Sequence, residues 1–177
     1  MLERVLFAGS GGQGVLSIGR LLAYCALPHV EHLTFFPSYG AEVRGGTANC
    51  QVVLSDREIP SPVVDRFDSM LLLNQQSVDR FGSLAAENGL IVLNRSLCPE
   101  PLEGAVQVEA SDLARDLGDV RAANLIMLGA YLARKPHVPT AEIETAVRQR
   151  FESKGRELVD LNIRALRRGL DSVSATD

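Results

Sequence analysis

Two stretches of this chain carry residue types that a fold alone does not require. The first, Gly9-Ser-Gly-Gly-Gln-Gly14, satisfies the spacing G-x-G-x-x-G, with an apolar run from Arg4 to Ala8 before it. Behind it Val15, Ile18, Leu22 and Cys25 recur at helical spacing, so Gly9, Gly11, Gly12, Gln13 and Gly14 sit where a strand turns into a helix. Exposed N–H groups at the positive end of that helix suit an anion or a partner's backbone. The second stretch, Phe35 to Cys50, is a polar excursion on glycine hinges. Pro37 ends an apolar strand, Gly40, Gly45 and Gly46 free the backbone, and Ser38, Tyr39, Glu42, Arg44, Thr47 and Asn49 sit among them. Loops of this kind are where binding residues concentrate. The competing reading is a plain link between strands, with Tyr39 against the core and Glu42 paired to Arg44; spacing alone balances the two.

A dinucleotide site needs an acidic residue at the end of the second strand to hold the ribose hydroxyls. That strand, Glu31 to Phe36, ends in Phe35-Phe36-Pro37, and Glu31 lies at its other end. An anion or backbone-contact site is therefore favoured over NAD, with a tight turn for close helix–strand packing as the plain alternative. Other chemistry is sparse. Cys25, Cys50 and Cys98 are far apart and form no C-x-x-C pair, and His29, His32 and His137 have no ligand spacing, so neither zinc nor an iron–sulfur cluster is expected from this chain alone. Cys25 and Cys50 read as small buried hydrophobes. No Ser/His/Asp set, G-x-x-x-x-G-K loop or catalytic carboxylate pair presents itself.

The elements that must position these stretches follow from hydrophobic period. Thr47 to Ser55 alternates, with Ala48, Cys50, Val52 and Leu54 on one face, and reads as a strand half open to solvent or a partner. Ile59-Pro60-Ser61-Pro62 cannot continue a central sheet; the strands after the long loop read as an antiparallel addition to a parallel core. Met70 to Leu73 and Leu90 to Leu93 are short apolar runs, each followed by Asn (Asn74 and Asn94). A helix from Gln75 to Glu87, stopped by Asn88-Gly89, joins them into a parallel β-α-β unit. Ala105 to Val108 is a weaker last strand. Helices follow over 112–117 with Ser111 as N-cap, over 122–134, from Thr140 and through the last apolar strip to Leu170, where Arg164, Arg167 and Arg168 form a solvated face. The expected fold class is α/β: a three-layer α/β/α with a mostly parallel sheet and an antiparallel strand insertion after the second strand.

Length and composition set the bounds. With 177 residues, 46% hydrophobic and 23% charged, one core is expected, giving a single domain over 1–177 with the last few residues frayed. A formal charge of −4 with dispersed basic residues argues against nucleic acid. No run approaches membrane-spanning length and no signal-peptide layout opens the chain, so no membrane association and a cytoplasmic location are expected. Surface is plentiful and reacting groups are few, which suits a subunit that builds a site with other chains.

Three blocks point to a family. The opening strand with Gly9-x-Gly-Gly-Gln-Gly14, then Pro37-Ser-Tyr-Gly-Ala-Glu-Val-Arg-Gly-Gly46 with Thr47-Ala-Asn49, then Ser55-Asp-x-x-Ile59 with Ser61-Pro62, resemble the gamma subunit of 2-oxoacid:ferredoxin (acceptor) oxidoreductases in order and spacing. The resemblance implies a non-catalytic chain that completes a multi-subunit enzyme and is inactive in isolation. That enzyme would decarboxylate a 2-oxoacid with thiamine diphosphate and Mg2+, pass electrons through [4Fe-4S] clusters to ferredoxin, and form an acyl-CoA from coenzyme A. It implies alpha and beta partners, with a delta subunit and a dimer of complexes as further expectations, and no cofactor in this chain. Ala41 stands where many relatives have proline, and the flanks at Pro37 and Thr47-Ala-Asn-Cys50 look more like the 2-oxoglutarate type than the pyruvate type. The rival readings are a stand-alone nucleotide-binding protein using the Gly9 to Gly14 turn, and a free-standing enzyme using Tyr39 or Arg44.

Overall fold

A computed structural model describes residues 1–38, 47–100 and 102–174. Its strands are β1 (Leu2–Ser10), β2 (His32–Ser38), β3 (Thr47–Ser55), β4 (Phe67–Leu72), β5 (Ala85–Asn94) and β6 (Val106–Val108). Its helices are α1 (Val15–Ala26), α2 (Gln75–Phe81), α3 (Ala110–Leu117), α4 (Ala123–Arg134), α5 (Thr140–Phe151) and α6 (Arg156–Ser174). The strands form one sheet in the order β2-β3-β1-β4-β5-β6. β4 runs parallel to β1, β5 to β4 and β6 to β5, whereas β3 is antiparallel to both its neighbours. The expected α/β class and mixed sheet are therefore present.

Five local expectations are corrected. The antiparallel element is a single strand wedged between β1 and β2, not a pair added outside the core: residues 57–66 form no strand. β3 is also not half open, since eight of its nine residues are buried. α1 covers its Cys50, Val52 and Leu54 face, while on the other face Val64 N donates to Gln51 Oε1 and Arg80 Nη1 to Thr47 Oγ1, and even Thr47, Asn49 and Ser55 are buried. Pro37 lies inside β2 rather than ending it, which is tolerated because β2 is an edge strand. The helix after Asn74 stops at Phe81 instead of Glu87, and Asn88, at φ 59°, belongs to β5, where the pairing with β4 shifts register. A further helix start differs: Glu109, not Ser111, precedes α3, and Ser111 is buried against Asn94.

The two faces of the sheet are unequal. On the first face Val5, Phe7, Cys50, Val52, Leu71 and Val92 pack against α1, α3, α4, α5 and α6 in the larger core. α4 is central to it, with nine buried residues. It meets α6 at backbone distance: a Cβ on Gly129 would run into Leu166 O, and one on Gly169 into Ile126 O. The second face holds a smaller core of Leu6, Ala8, Met70, Leu72, Ile91, Leu93 and Cys98, joined by Phe67, under α2 and neighbouring loops. Among the described residues, α2 is the only helix there. Arg167, on the outer face of α6 as expected, makes a two-armed bond to Glu144, at 2.6 and 2.8 Å.

Candidate functional site at the carboxyl edge of the sheet

The chain leaves β1 for α1 on one face and re-enters at β4, whose following helix α2 lies on the other. Open α/β sheets place ligands at such a reversal, outside the carboxyl ends of the strands. Here the Gly9–Gly14 turn lies at that point. Gly12 (φ 91°) and Gly14 (φ 72°) occupy the left-handed region that favours glycine, while Gly11 does not. Gly14 caps α1, and its carbonyl accepts from Asn124 Nδ2 on α4 at 3.4 Å. Gly9 is required for close approach: a Cβ there would come 2.7 Å from Gln13 Oε1 and 2.8 Å from Val15 Cγ2.

The crevice itself is closed by the chain's own amides. Gln13 folds back so that Oε1 accepts from Ser10 N at 2.6 Å and Nε2 donates to Leu73 O at 3.4 Å. Asn74 Nδ2 donates to Ser10 Oγ at 2.5 Å, and Asn74 Oδ1 caps α2 by accepting from Ser77 N at 2.9 Å. One strand over, Asn94 Nδ2 bridges Leu73 O and Ser111 Oγ at 3.1 and 2.9 Å. A pyrophosphate entering a dinucleotide site would have to displace the Gln13–Ser10–Asn74 set. The strand that should end in a ribose-binding acid ends in Ser38 and does not neighbour β1. The geometry gives the dinucleotide reading no support.

Beside this closed turn, Ser10 and Thr47 are register partners, as are Ala8 and Asn49, and Asn49 and Ser38. Ser38, Asn49 and Thr47 therefore share the second face next to the glycine turn. Arg80 on α2 reaches the same place, its Nη1 donating to Thr47 Oγ1 at 3.0 Å. The structure thus groups Gly9, Gly11, Gly12, Gln13, Gly14, Ser38, Thr47 and Asn49 at one edge. Tyr39, Gly40, Glu42, Arg44, Gly45 and Gly46 lie outside the described residues. The sequence reading missed Arg80, Asn74, Asn94 and Asn124. For Asn74 and Asn94 a signal existed, an asparagine directly after each apolar run; Arg80 and Asn124 sit on helices with no local mark of a role.

A second polar cluster lies at the opposite end. Glu3, 3% exposed, accepts from Ser69 Oγ at 2.5 Å and Lys135 Nζ at 3.2 Å, with His137 Nε2 at 3.5 Å the longest contact. Burial pushes the Glu3 pKa up, but hydrogen bonds from His137, Ser69 and Lys135 outweigh it and hold the carboxyl below its ordinary range. Nearby Arg4 grips Asp68 through two side-chain bonds of 2.8 Å. The thiols offer no nucleophile. Cys98 is buried like the other two, and burial pushes Cys25 and Cys98 up to about 11 and Cys50 to about 12. No group of three metal-ligating side chains occurs among the described residues, and none of their helices is long and apolar enough to cross a membrane.

Residues 4–172 match the family model described as pyruvate ferredoxin/flavodoxin oxidoreductase. The chain belongs to that family. Among curated oxidoreductase subunits, it is 39% identical over 172 residues to the ketoisovalerate oxidoreductase subunit VorA of Methanothermobacter thermautotrophicus, covering 95% of this chain and 36% of that one. It is 28% identical to the 2-oxoglutarate synthase subunit KorC of Methanocaldococcus jannaschii, covering 97% and 94%. The chain thus spans about a third of the length of VorA and nearly all of KorC. The crystal structure of a keto/oxoacid ferredoxin oxidoreductase gamma subunit from Geobacter sulfurreducens superposes with a TM-score of 0.82 at 27% identity, covering 98% of this chain and 99% of that one. A 2-oxoglutarate:ferredoxin oxidoreductase from Magnetococcus marinus shares the fold at TM-score 0.87 and 23% identity, this chain covering 32% of it. In this chain the glycine turn is set at the edge of the sheet, beside the polar patch of Ser38, Thr47, Asn49 and Arg80.

Proposed function

We propose that this chain is the gamma component of a thiamine-diphosphate-dependent 2-oxoacid:ferredoxin oxidoreductase, and that it completes the complex without performing chemistry itself. The observation that carries this is the family match over 4–172 on a chain whose glycine turn is plugged by its own Gln13 and Asn74. Its three thiols are buried and held in their protonated forms, so they do not fit a cluster, and [4Fe-4S] clusters belong to other parts of the assembly. Thiamine diphosphate with Mg2+ would supply the decarboxylation there, and coenzyme A would take the acyl group. This chain would present the carboxyl-edge patch, Gly9 to Gly14 with Ser38 and with Arg80 held over the buried Thr47 and Asn49, together with Tyr39, Glu42 and Arg44, toward alpha and beta subunits. Arg44 is the charge expected to meet a partner carboxylate or a bound anion, since its planar fork suits both.

Substrate choice is read from similarity. The identity of 39% to a ketoisovalerate subunit, against 28% to a 2-oxoglutarate subunit, favours a branched 2-oxoacid over the 2-oxoglutarate that the flanks of the polar loop suggest. Turnover of the purified complex with ketoisovalerate, 2-oxoglutarate, pyruvate and indolepyruvate tests this; the highest kcat/KM is expected for ketoisovalerate. Calorimetric titration of the isolated chain with NAD, NADP, FAD and coenzyme A tests the rival reading. Tight binding of a dinucleotide alone would overturn the gamma-component reading.

A further inference from the structure

α1 and α5 pack side by side and run antiparallel. At one end Arg150 Nη2 donates to Ser17 Oγ at 2.8 Å, and at the other Cys25 Sγ lies 3.9 Å from Glu142 O. Helical spacing therefore sets Arg20, Tyr24 and Leu27, along α1 and just past its end, opposite Arg150, Ala146 and Glu142 on α5. Two hollows run between these rows. The first, of about 320 Å³, is lined by Arg20, Leu21, Tyr24, Ala146, Gln149 and Arg150. The second, of about 370 Å³, shares Tyr24, Ala146 and Gln149 and reaches Leu27 and Pro28. Joined, they form one groove about 10 Å long, of the size that small ligands occupy. The carboxyl-edge patch makes no use of it.

The two ends of the groove differ in chemistry. At the first, both arginines are held in place: the Arg20 guanidinium lies 5.8 Å from the Phe35 ring centroid, and that of Arg150, besides its Ser17 bond, 6.0 Å from the Phe151 ring. No carboxylate lines that hollow among the described residues, so two like charges share one rim with nothing between them. Donors fixed in advance bind an anion at little cost in order. The carboxylate of the second hollow, Glu142, is taken by His29 Nε2 at 2.8 Å, and Glu152 lies on a neighbouring hollow beside Arg148 and Arg156. Toward the other end the surface is apolar, with Tyr24 63% and Leu27 56% exposed. We infer that this groove binds a small amphiphilic anion, its carboxylate or phosphate head between Arg20 and Arg150 and its apolar body along Tyr24 toward Leu27 and Pro28. The inference stands independently of the gamma-component reading.

The full chain is titrated with sodium octanoate and octyl phosphate, with inorganic phosphate as the head alone and 1-octanol as the tail alone, followed by calorimetry and by amide NMR shifts. At least one amphiphile is expected to bind saturably at one site, to shift amides of 17–28 and 142–151, and to bind at least tenfold more tightly than either half; the tighter of the two names the head group. Arg20→Gln and Arg150→Gln are expected to weaken it at least tenfold, and Arg164→Gln, on the solvated face of α6, to leave it unchanged. Should Arg150→Gln melt low through the lost Ser17 bond, Arg20→Gln and Tyr24→Ala, both at exposed positions, decide: weaker binding in both supports the inference and wild-type affinity in both overturns it. It is also overturned by the lack of saturable binding, by phosphate binding as tightly as octyl phosphate, which would mark an adventitious ion only, and by octanol binding as tightly as octanoate. Slower amide exchange over 17–28 and 142–151 in the assembled complex without a probe would make the groove a subunit contact, overturning this inference while the gamma-component reading stands.

Discussion

Glu3 shows how a single buried charge ties the fold to pH. Its folded pKa is depressed by the donors around it, so its stabilising contribution is complete above its unfolded pKa of about 4.3 and disappears as pH falls through the lower folded value. Melting temperature should be flat near neutrality and fall on acidification, and Glu3→Gln should shrink that acid-side slope. Glu3→Ala takes the acceptor from Ser69 Oγ and Lys135 Nζ, and because Lys135 is 33% exposed and can turn to solvent the cost should be roughly 1 to 3 kcal/mol, measured by denaturant unfolding at pH 7. Nothing in the sequence announced this, because a glutamate in the first residues of a strand ordinarily reads as a solvated end. The glycine turn was legible as a turn from spacing alone; that Gln13 would fold back into it was not, since that depends on Leu73, just past the end of β4 and far along the chain. Gly14→Ala should be worse than Gly12→Ala. Both force a side chain into the left-handed region at about 1 to 2 kcal/mol, but only at Gly14 does the new Cβ also strike Asn124, whereas Gly12 faces open space. Thermal melts of the two variants check the order.

Elements were legible where a period ran long and misread where tertiary pairing overruled it. α4, α5 and α6 follow from their apolar strips, and β3 was placed to the residue. Its burial was misjudged because alternation shows which residues share a face, not whether a neighbour covers it. Likewise Asn88-Gly89 carries a helix-stop signal that β5 uses for an irregular strand start. The α4–α6 crossing is a consequence of Gly129 and Gly169, which let two helices touch backbone to backbone. Gly129→Ala gains helix propensity of about 1 kcal/mol, yet its methyl must push α6 off α4 by an overpacking cost of roughly 1 to 3 kcal/mol. Because a Cβ there overlaps a backbone carbonyl, the net effect should be destabilising, with a fall in Tm of about 2 to 4 °C per kcal/mol. Circular dichroism melts of Gly129→Ala and Gly169→Ala check it, and an unchanged Tm in both would mean that the helices can part freely.

At the scale of the molecule the sheet is lopsided, with five helices on one face and one seven-residue helix on the other among the described residues. That asymmetry, the patch at the carboxyl edge and the scarcity of reacting groups fit a component whose work is done in contact with larger subunits. The family was legible from three blocks of sequence, and the order and spacing of those blocks carried more than any one of them. Function in assembly is also where Arg44 belongs: if it meets a partner charge, Arg44→Ala should cost roughly 2 to 5 kcal/mol of association, whereas a solvated pair with Glu42 would give only about 0.2 to 1 kcal/mol. Interferometric titration of the variant against the partner subunits separates the two. The central claim, that this chain completes an oxidoreductase without catalysing alone, is tested most directly by omission: 2-oxoacid- and CoA-dependent ferredoxin reduction by the partner subunits, with and without the purified chain. The account predicts no turnover by the chain alone, little by the partners alone, and full activity when they are combined. Full activity of the partners without it, or turnover by the isolated chain, would contradict the account.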